Sequence, residues 1–188
     1  TMERMNPVTN WFGDAIAELH PQLQSLHRHG GDLSGTVDLV FGKGLAGIIG
    51  RRLAKKLGMP TQAGVHALRV SIRHRENSLW WSRCFNGQQT MLSIFEPTGR
   101  HPDGNWTEKT GPVNLKLAVD IIDQGWYWRL RKVYLFGLRV PLIFFPHSLA
   151  YKKIIDGNYQ FHVGFSMPLV GQLLSYEGRL ICEPGLIE

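Results

Sequence analysis

Apolar residues alternate with polar ones along much of the chain, and a period of two is typical of half-buried β-strands. The clearest run places Val113, Leu115, Leu117, Val119 and Ile121 on one face. Alternating or apolar segments bounded by turn residues predict strands at 36–41, 68–73, 79–85, 90–95, 113–121, 126–135, 159–165 and 173–182. Most connections between them are short, which favours antiparallel pairing.

Two segments have the spacing of helices instead. Residues 10–29 repeat apolar side chains at near-helical intervals behind Asn10 as the N-cap, and Pro21 is expected to kink or split this helix. Residues 45–57 form the second helix, which ends at Gly58. A short helix is also predicted at 146–156.

These elements predict one α+β domain over residues 1–188, with an N-terminal helix at about 10–29 and a β-rich body at about 32–183. A sheet of about seven or eight strands tends to curl. We therefore expect a strongly curved, mostly antiparallel sheet, a partial barrel or cup. One helix precedes the first strand, a second follows it, and the helices cover an open side or end.

Composition agrees with a folded, soluble protein: 43% of residues are hydrophobic, with six Trp and nine Phe. No secretory signal is visible at the N-terminus, and the apolar stretch 133–145 is shorter than the roughly 20 residues of a membrane helix. We expect a cytoplasmic location. Cys84 and Cys182 are expected to be free thiols, and a disulfide between neighbouring strands stays open as the alternative.

The net charge of +6 is concentrated in one part of the chain. No acid occurs between Leu39 and Arg75, whereas the second helix alone carries the basic residues Arg51, Arg52, Lys55 and Lys56. Such a cluster can attract phosphates, anionic lipid or an acidic protein surface, and a solvated helix face is the simpler interpretation. Nucleic-acid binding is not expected, because no groove-reading motif accompanies the charge.

Residues 42–47 fit the dinucleotide-binding pattern G-x-G-x-x-G and lie between a predicted strand and a helix. Two observations weigh against it. Asp38 interrupts the preceding strand, and no acid follows until Glu76 to hold a ribose. We therefore predict no cofactor. The eight histidines form no metal-binding array, so no metal site is assigned. No catalytic residue is assigned either, because the sequence has no G-x-S-x-G motif and no Cys or Ser marked by a neighbouring base.

Aromatic and charged side chains share faces of the predicted strands. Arg83 alternates with Trp81 and Phe85, and a guanidinium among aromatic rings is a good receptor for a carboxylate or phosphate. An internal ion pair between Arg83 and Glu108 is an equally supported alternative. The candidate ligand-binding residues are Trp81, Arg83, Phe85, Glu108, Trp126, Trp128 and His162.

The leading hypothesis is a noncatalytic domain that binds a small apolar or lipid-like molecule inside the curved sheet. In one form of this hypothesis the ligand is an acid. In a second hypothesis, the stretch 133–145 or the basic helix docks an oxidoreductase or an anionic membrane surface. A third and weaker hypothesis is a cyclase or isomerase that uses Glu108 or His162 as a base.

A series of short signals supports a family resemblance. In order these are Trp81-x-Arg83-x-Phe85 with Met91 and Ser93, Glu108-x-x-Gly111-Pro112, Gly137 with Pro141, Pro168-x-x-Gly171, and Tyr176-x-Gly178-x-Leu180. Between about Gly35 and Leu180 the chain resembles a bacterial family of domains of unknown function. Its members occur alone or C-terminal to saccharopine-dehydrogenase-like oxidoreductase domains. The resemblance implies an oxidoreductase as a partner, and no particular chemistry.

Overall fold

The computed structural model describes residues 6–144 and 147–183, without the side chain of His147. Its α-helices are α1 (Pro7–Phe12), α2 (Pro21–His29) and α3 (Gly44–Leu57), and short 3-10 segments cover Gly13–Glu18 and Leu142–Phe144. The strands are β1 (Gly31–Phe41), β2 (Gly64–Arg75), β3 (Ser78–Phe85), β4 (Gln89–Thr98), β5 (Asn105–Thr110), β6 (Val113–Ile122), β7 (Gly125–Leu135), β8 (Leu138–Val140), β9 (His147–Ile155), β10 (Asn158–Met167) and β11 (Gly171–Cys182).

The strands form a closed antiparallel barrel. Their order is β6-β5-β4-β3-β2-β1-β11-β10-β9-β7, and β6 also pairs with β7, which joins the two ends of this series. Ten strands therefore complete the ring, and β8 extends outward from β7 as an additional strand. The prediction of a partial barrel or cup with seven or eight strands is wrong.

The missing strands explain this error. Residues 146–156, predicted as a helix, contain β9, and β5 was not predicted as a strand at all. On β9 the inward positions carry Ser148, Ala150 and Lys152, while Leu149 is exposed on the outside. The usual pattern of apolar residues inside and polar residues outside is therefore reversed, and period-two reasoning does not detect the strand.

The N-terminal helix predicted at 10–29 is divided into α1, a 3-10 segment and α2. Its N-cap is Asn6 rather than Asn10, because the Asn6 side chain accepts hydrogen bonds from the backbone N–H groups of Val8 and Thr9. Pro21 begins α2 at the first helical position, where its missing N–H costs nothing. The expected division at this proline is thus confirmed.

The N-terminal helices close one end of the barrel. Trp11 packs against Trp106 and donates its indole N–H to the carbonyl of Thr98, and Phe12 packs against Trp126. These contacts lie where β4 ends and where β5 and β7 begin. We call this side of the barrel the plugged end.

Helix α3 crosses the opposite end, which we call the α3 end. Its C-terminal region lies close to Thr90 at the start of β4 and to Gly111 in the β5–β6 turn, while the Nζ of Lys56 lies 5.3 Å from the ring centre of Phe136. The helix ends as predicted at Gly58, which is left-handed with φ 85°.

The G-x-G-x-x-G segment allows α3 to pack directly against the sheet. An added Cβ at Gly42 would lie 1.9 Å from the carbonyl oxygen of Gln172, and one at Gly50, further along the helix, 2.1 Å from that of Leu173. These glycines therefore bring the helix backbone against the start of β11. The strand that follows α3, β2, is antiparallel to β1, unlike the strands of a dinucleotide-binding unit.

Cys84 and Cys182 are both free thiols. Within the described residues, the structure contains no helix that is both long enough and apolar enough to cross a membrane.

We expect Gly50→Ala to lower the free energy of unfolding by about 1–3 kcal/mol, because the new methyl group overlaps a backbone oxygen that cannot move freely. Alanine otherwise favours a helix by about 1 kcal/mol over glycine. Denaturant unfolding measures the change, and Lys55→Ala, at an exposed position of α3, serves as the control. A Gly50→Ala protein as stable as the wild type would contradict the packing argument.

Candidate ligand cavity

The barrel interior contains two adjoining cavities, with volumes of about 50 Å³ and 90 Å³. Both are lined by Arg83, Phe95, Trp128, Ala150, Val163 and Tyr176. The smaller cavity extends towards Trp81, Lys152 and Tyr159, whereas the larger extends to Leu53 and Leu57 of α3. The barrel is therefore incompletely filled around Arg83.

A chain of hydrogen bonds connects Arg83 to Glu108 across three neighbouring strands. Arg83 Nη1 donates to Ser93 Oγ at 2.9 Å, and the oxygens of Ser93 and Thr110 are 2.6 Å apart. Thr110 Oγ1 in turn donates to Glu108 Oε1 at 3.2 Å. One consistent arrangement has each hydroxyl accepting from the arginine side and donating towards the carboxylate.

Arg83 makes no direct ion pair with Glu108 or with any other carboxylate in the described part of the chain. The predicted alternative of an internal Arg83–Glu108 ion pair is replaced by the hydroxyl-bridged chain. The bond to Ser93 is the only hydrogen bond that the Arg83 guanidinium makes with described residues, although a guanidinium has five N–H donors. Arg83 therefore has unused donors beside both cavities.

Other side chains of the smaller cavity are also donors. The indole Nε1 of Trp81 is buried without a hydrogen-bond partner among the described residues. Tyr159 and Tyr176 are buried as well. Burial raises the pKa of Tyr176 to about 12 and also raises that of Tyr159, so both phenols keep their protons at neutral pH.

Lys152 lies in the wall of the smaller cavity, near the plugged end. It is only 5% exposed, and its Nζ is 2.6 Å from His27 Nε2 on α2. His27 Nδ1 lies 2.7 Å from the carbonyl oxygen of Leu23 and must donate to it, so Nε2 is free to accept from Lys152. The Lys152 Nζ also lies 4.3 Å and 3.9 Å from the ring centres of Trp81 and Trp126.

The environment of this pair favours the neutral forms of both groups. Burial lowers the pKa of Lys152 well below the ordinary lysine value, and the charge of Arg83 lowers it further, while Glu108 opposes the shift. Burial lowers the pKa of His27, and the charge of Lys152 lowers it further.

The structure brings several predicted site residues together and separates others. Trp81, Arg83, Glu108 and Trp128 line the cavities. Phe85 is fully buried in the core without lining a cavity, and Trp126 packs under His27. His162 lies on the outer wall, where its Nδ1 is 3.1 Å from Glu177 Oε2. It does not contact the cavities. The prediction that His162 faces away from Phe161 and Val163 is therefore confirmed.

Five polar residues of the site were not predicted from the sequence: Ser93, Thr110, Lys152, Tyr159 and Tyr176. Ser93 lies among apolar neighbours on an alternating strand, which was a usable signal, since a polar residue at an inward position requires a partner. Lys152 gave no such signal, because β9 was not recognised as a strand.

These features define a closed β-barrel with an interior cavity rich in hydrogen-bond donors. The chain belongs to the family described as "Domain of unknown function (DUF4166)", which it matches over residues 19–180. The bacterial origin and the fusion to saccharopine-dehydrogenase-like domains stay predictions. No curated protein and no solved structure gives a match to this chain.

We expect Lys152→Met to change how stability depends on pH. The folded protein releases the Lys152 proton at a lower pH than the unfolded chain, so between the two pKa values the unfolded chain holds the extra proton. Wild-type stability therefore gains up to about 1.4 kcal/mol per pH unit relative to Lys152→Met in this window. The window ends near the ordinary lysine pKa of 10.5.

Urea unfolding of both proteins between about pH 7 and about pH 10 measures this difference. Lys153→Met is the matched control, because Lys153 is the next residue and points to the other face of β9. A stability difference between wild type and Lys152→Met that is independent of pH would contradict a lowered pKa at Lys152.

Proposed function

We propose that this protein binds a small apolar monocarboxylic acid inside the barrel, without catalysing a reaction. The observation that carries the proposal is Arg83, a charged residue beside both cavities that uses one donor and contacts no carboxylate in the described residues. Arg83 is only partly buried, but a charge inside a barrel without an ion-pair partner is costly, and a bound carboxylate supplies both the opposite charge and the missing acceptors.

The smaller cavity suits the carboxylate end of such a ligand. Arg83, Trp81, Lys152, Tyr159 and Tyr176 are among its lining residues, and each of these side chains has an N–H or O–H group of the kind from which an anion accepts a hydrogen bond. Glu108 lines the larger cavity and not the smaller one, so its negative charge is set back from the proposed carboxylate position. The hydroxyls of Ser93 and Thr110 lie between the two charges.

The larger cavity suits the apolar end. Met91, Leu115, Leu117 and Phe165 line it, together with the α3 side chains Leu53 and Leu57. For comparison, an engineered apolar cavity of about 150 Å³ binds benzene. The two cavities here, about 50 Å³ and 90 Å³, therefore suit a benzoate or a short fatty acid rather than a lipid with two acyl chains.

We expect the wild-type protein to bind octanoate and to bind 1-octanol much more weakly, because the alcohol has the same chain length but no charge. Arg83→Met should weaken octanoate binding by about tenfold to a hundredfold, the range expected for a lost charge-assisted hydrogen bond. Isothermal titration calorimetry measures both ligands, and quenching of the cavity tryptophans gives a second readout.

Arg129→Met is the control for this substitution, since Arg129 is half exposed on the outer wall and pairs with Asp120. Arg83→Lys keeps the charge but loses the planar fork, so we expect intermediate affinity. Equal binding of octanoate and octanol by the wild type would refute the proposal. So would unchanged octanoate binding by a folded Arg83→Met protein.

Ala150→Leu tests the cavity independently of Arg83. Ala150 lines both cavities, and three additional carbon atoms there fill space that the ligand requires. We expect this variant to lose octanoate binding while Ala150→Gly retains it, as measured by the same titrations. Normal binding by Ala150→Leu would place the ligand outside the barrel.

A further inference from the structure

The two ends of the barrel differ in charge. Every turn between strands at the plugged end contains an acid, namely Glu76, Asp103, Asp123 and Asp156. At the α3 end, the connections 42–63, 86–88, 111–112, 136–137 and 168–170, together with the described residues 141–144 of the β8–β9 connection, contain no acid. The first of these connections carries Lys43, Arg51, Arg52, Lys55 and Lys56, all of them exposed. The α3 end therefore carries positive charge from α3 and its flanking residues and no negative charge from these connections.

The same end exposes large apolar side chains. Ile143 and Phe144 are 74% and 71% exposed, and Phe136 and Leu138 of the β7–β8 hairpin are exposed to a similar degree. Leu169 in the β10–β11 turn is fully exposed. These residues come from three separate connections of the chain, and apolar side chains gathered on one exposed end mark an interaction surface.

Helix α3 contributes both kinds of residue. Leu45 and Ile48 are exposed on its first two turns, and the basic residues follow on the later turns. The Nζ of Lys56 lies 5.3 Å from the ring centre of Phe136, so the basic and apolar groups are in contact. Cations beside exposed apolar side chains, with no acid near them, match a surface of anionic headgroups over hydrocarbon.

We infer that the α3 end docks on an anionic phospholipid bilayer. Phe136, Ile143, Phe144 and Leu169 enter the boundary between headgroups and acyl chains, while the lysines and arginines of α3 contact lipid phosphates. A nucleic acid would explain the charge but not the exposed phenylalanine, isoleucine and leucine side chains. The inference goes beyond the proposed function, and it requires no ligand in the cavity.

Docking in this orientation also places the larger cavity towards the lipid. Leu53 and Leu57 of α3 line that cavity, and the outer residues of the same helix form part of the docking surface. An apolar acid partitions into membranes, so a protein that binds one gains direct access to its source.

Vesicle co-sedimentation tests the inference with ligand-free protein and two probes, phosphatidylcholine vesicles and vesicles containing about 30% phosphatidylglycerol. We expect binding to the anionic vesicles, weaker binding to the neutral ones, and loss of binding as salt rises. Lys55→Glu/Lys56→Glu should reduce the partition coefficient by at least about tenfold. Arg69→Glu/Arg75→Glu changes the net charge equally, on β2, and should have little effect.

A second pair of double variants tests the contribution of the exposed apolar side chains to vesicle binding. Phe136→Ser/Phe144→Ser should weaken binding by at least about tenfold. Ile122→Ser/Ile181→Ser removes exposed apolar residues near the plugged end, and we expect it to leave binding unchanged. Circular dichroism confirms that each variant is folded.

Three results would overturn the inference. One is absence of wild-type binding to anionic vesicles at low salt. Another is equal loss of binding in the α3-end variants and in their matched controls. The third is a dimer in sedimentation without vesicles that Phe136→Ser/Phe144→Ser dissociates, which would identify this end as an interface between two copies of the chain.

Discussion

The pairing of β6 with β7 is the constraint on which the rest of this structure depends, because it joins the two ends of the sheet into a ring. Barrels of about eight strands have interiors just wide enough to be filled by side chains, and wider barrels leave space. Ten strands enclose two cavities here even though tryptophan and phenylalanine side chains point inward. The space around Arg83 is thus a consequence of closure.

Closure also determines the electrostatics of the interior. Arg83 and Glu108 lie on strands of the same ring, and two hydroxyls between them maintain a hydrogen-bonded connection without an ion pair. Lys152 is enclosed by tryptophan rings, and its Nζ is hydrogen-bonded to His27. Burial lowers its pKa and so favours the neutral amine. The interior thereby combines the guanidinium of Arg83 with the buried donors Trp81, Tyr159 and Tyr176.

The two ends of the barrel differ in composition because antiparallel strands place alternate connections on opposite sides. The plugged end is closed by the N-terminal helices through Trp11 and Phe12 and is bordered by acidic turns. The α3 end combines the basic helix with exposed apolar turns, and glycines bring that helix against the start of β11. The G-x-G-x-x-G segment, which resembles a nucleotide motif in sequence, is explained by this close packing.

Local patterns in the sequence determined the strands with regular alternation, such as β2 and β6, the course of α3, and the shared strand face of Trp81 and Arg83. They determined these because each depends on neighbouring residues in the chain. Only the tertiary structure decided that the sheet closes, that Arg83 and Glu108 are joined through Ser93 and Thr110, and that Lys152 contacts His27, 125 positions away. Strands β5 and β9 escaped prediction for the same physical reason that they form the site: polar or small residues occupy most of their inward positions, where they meet partners from distant segments of the chain.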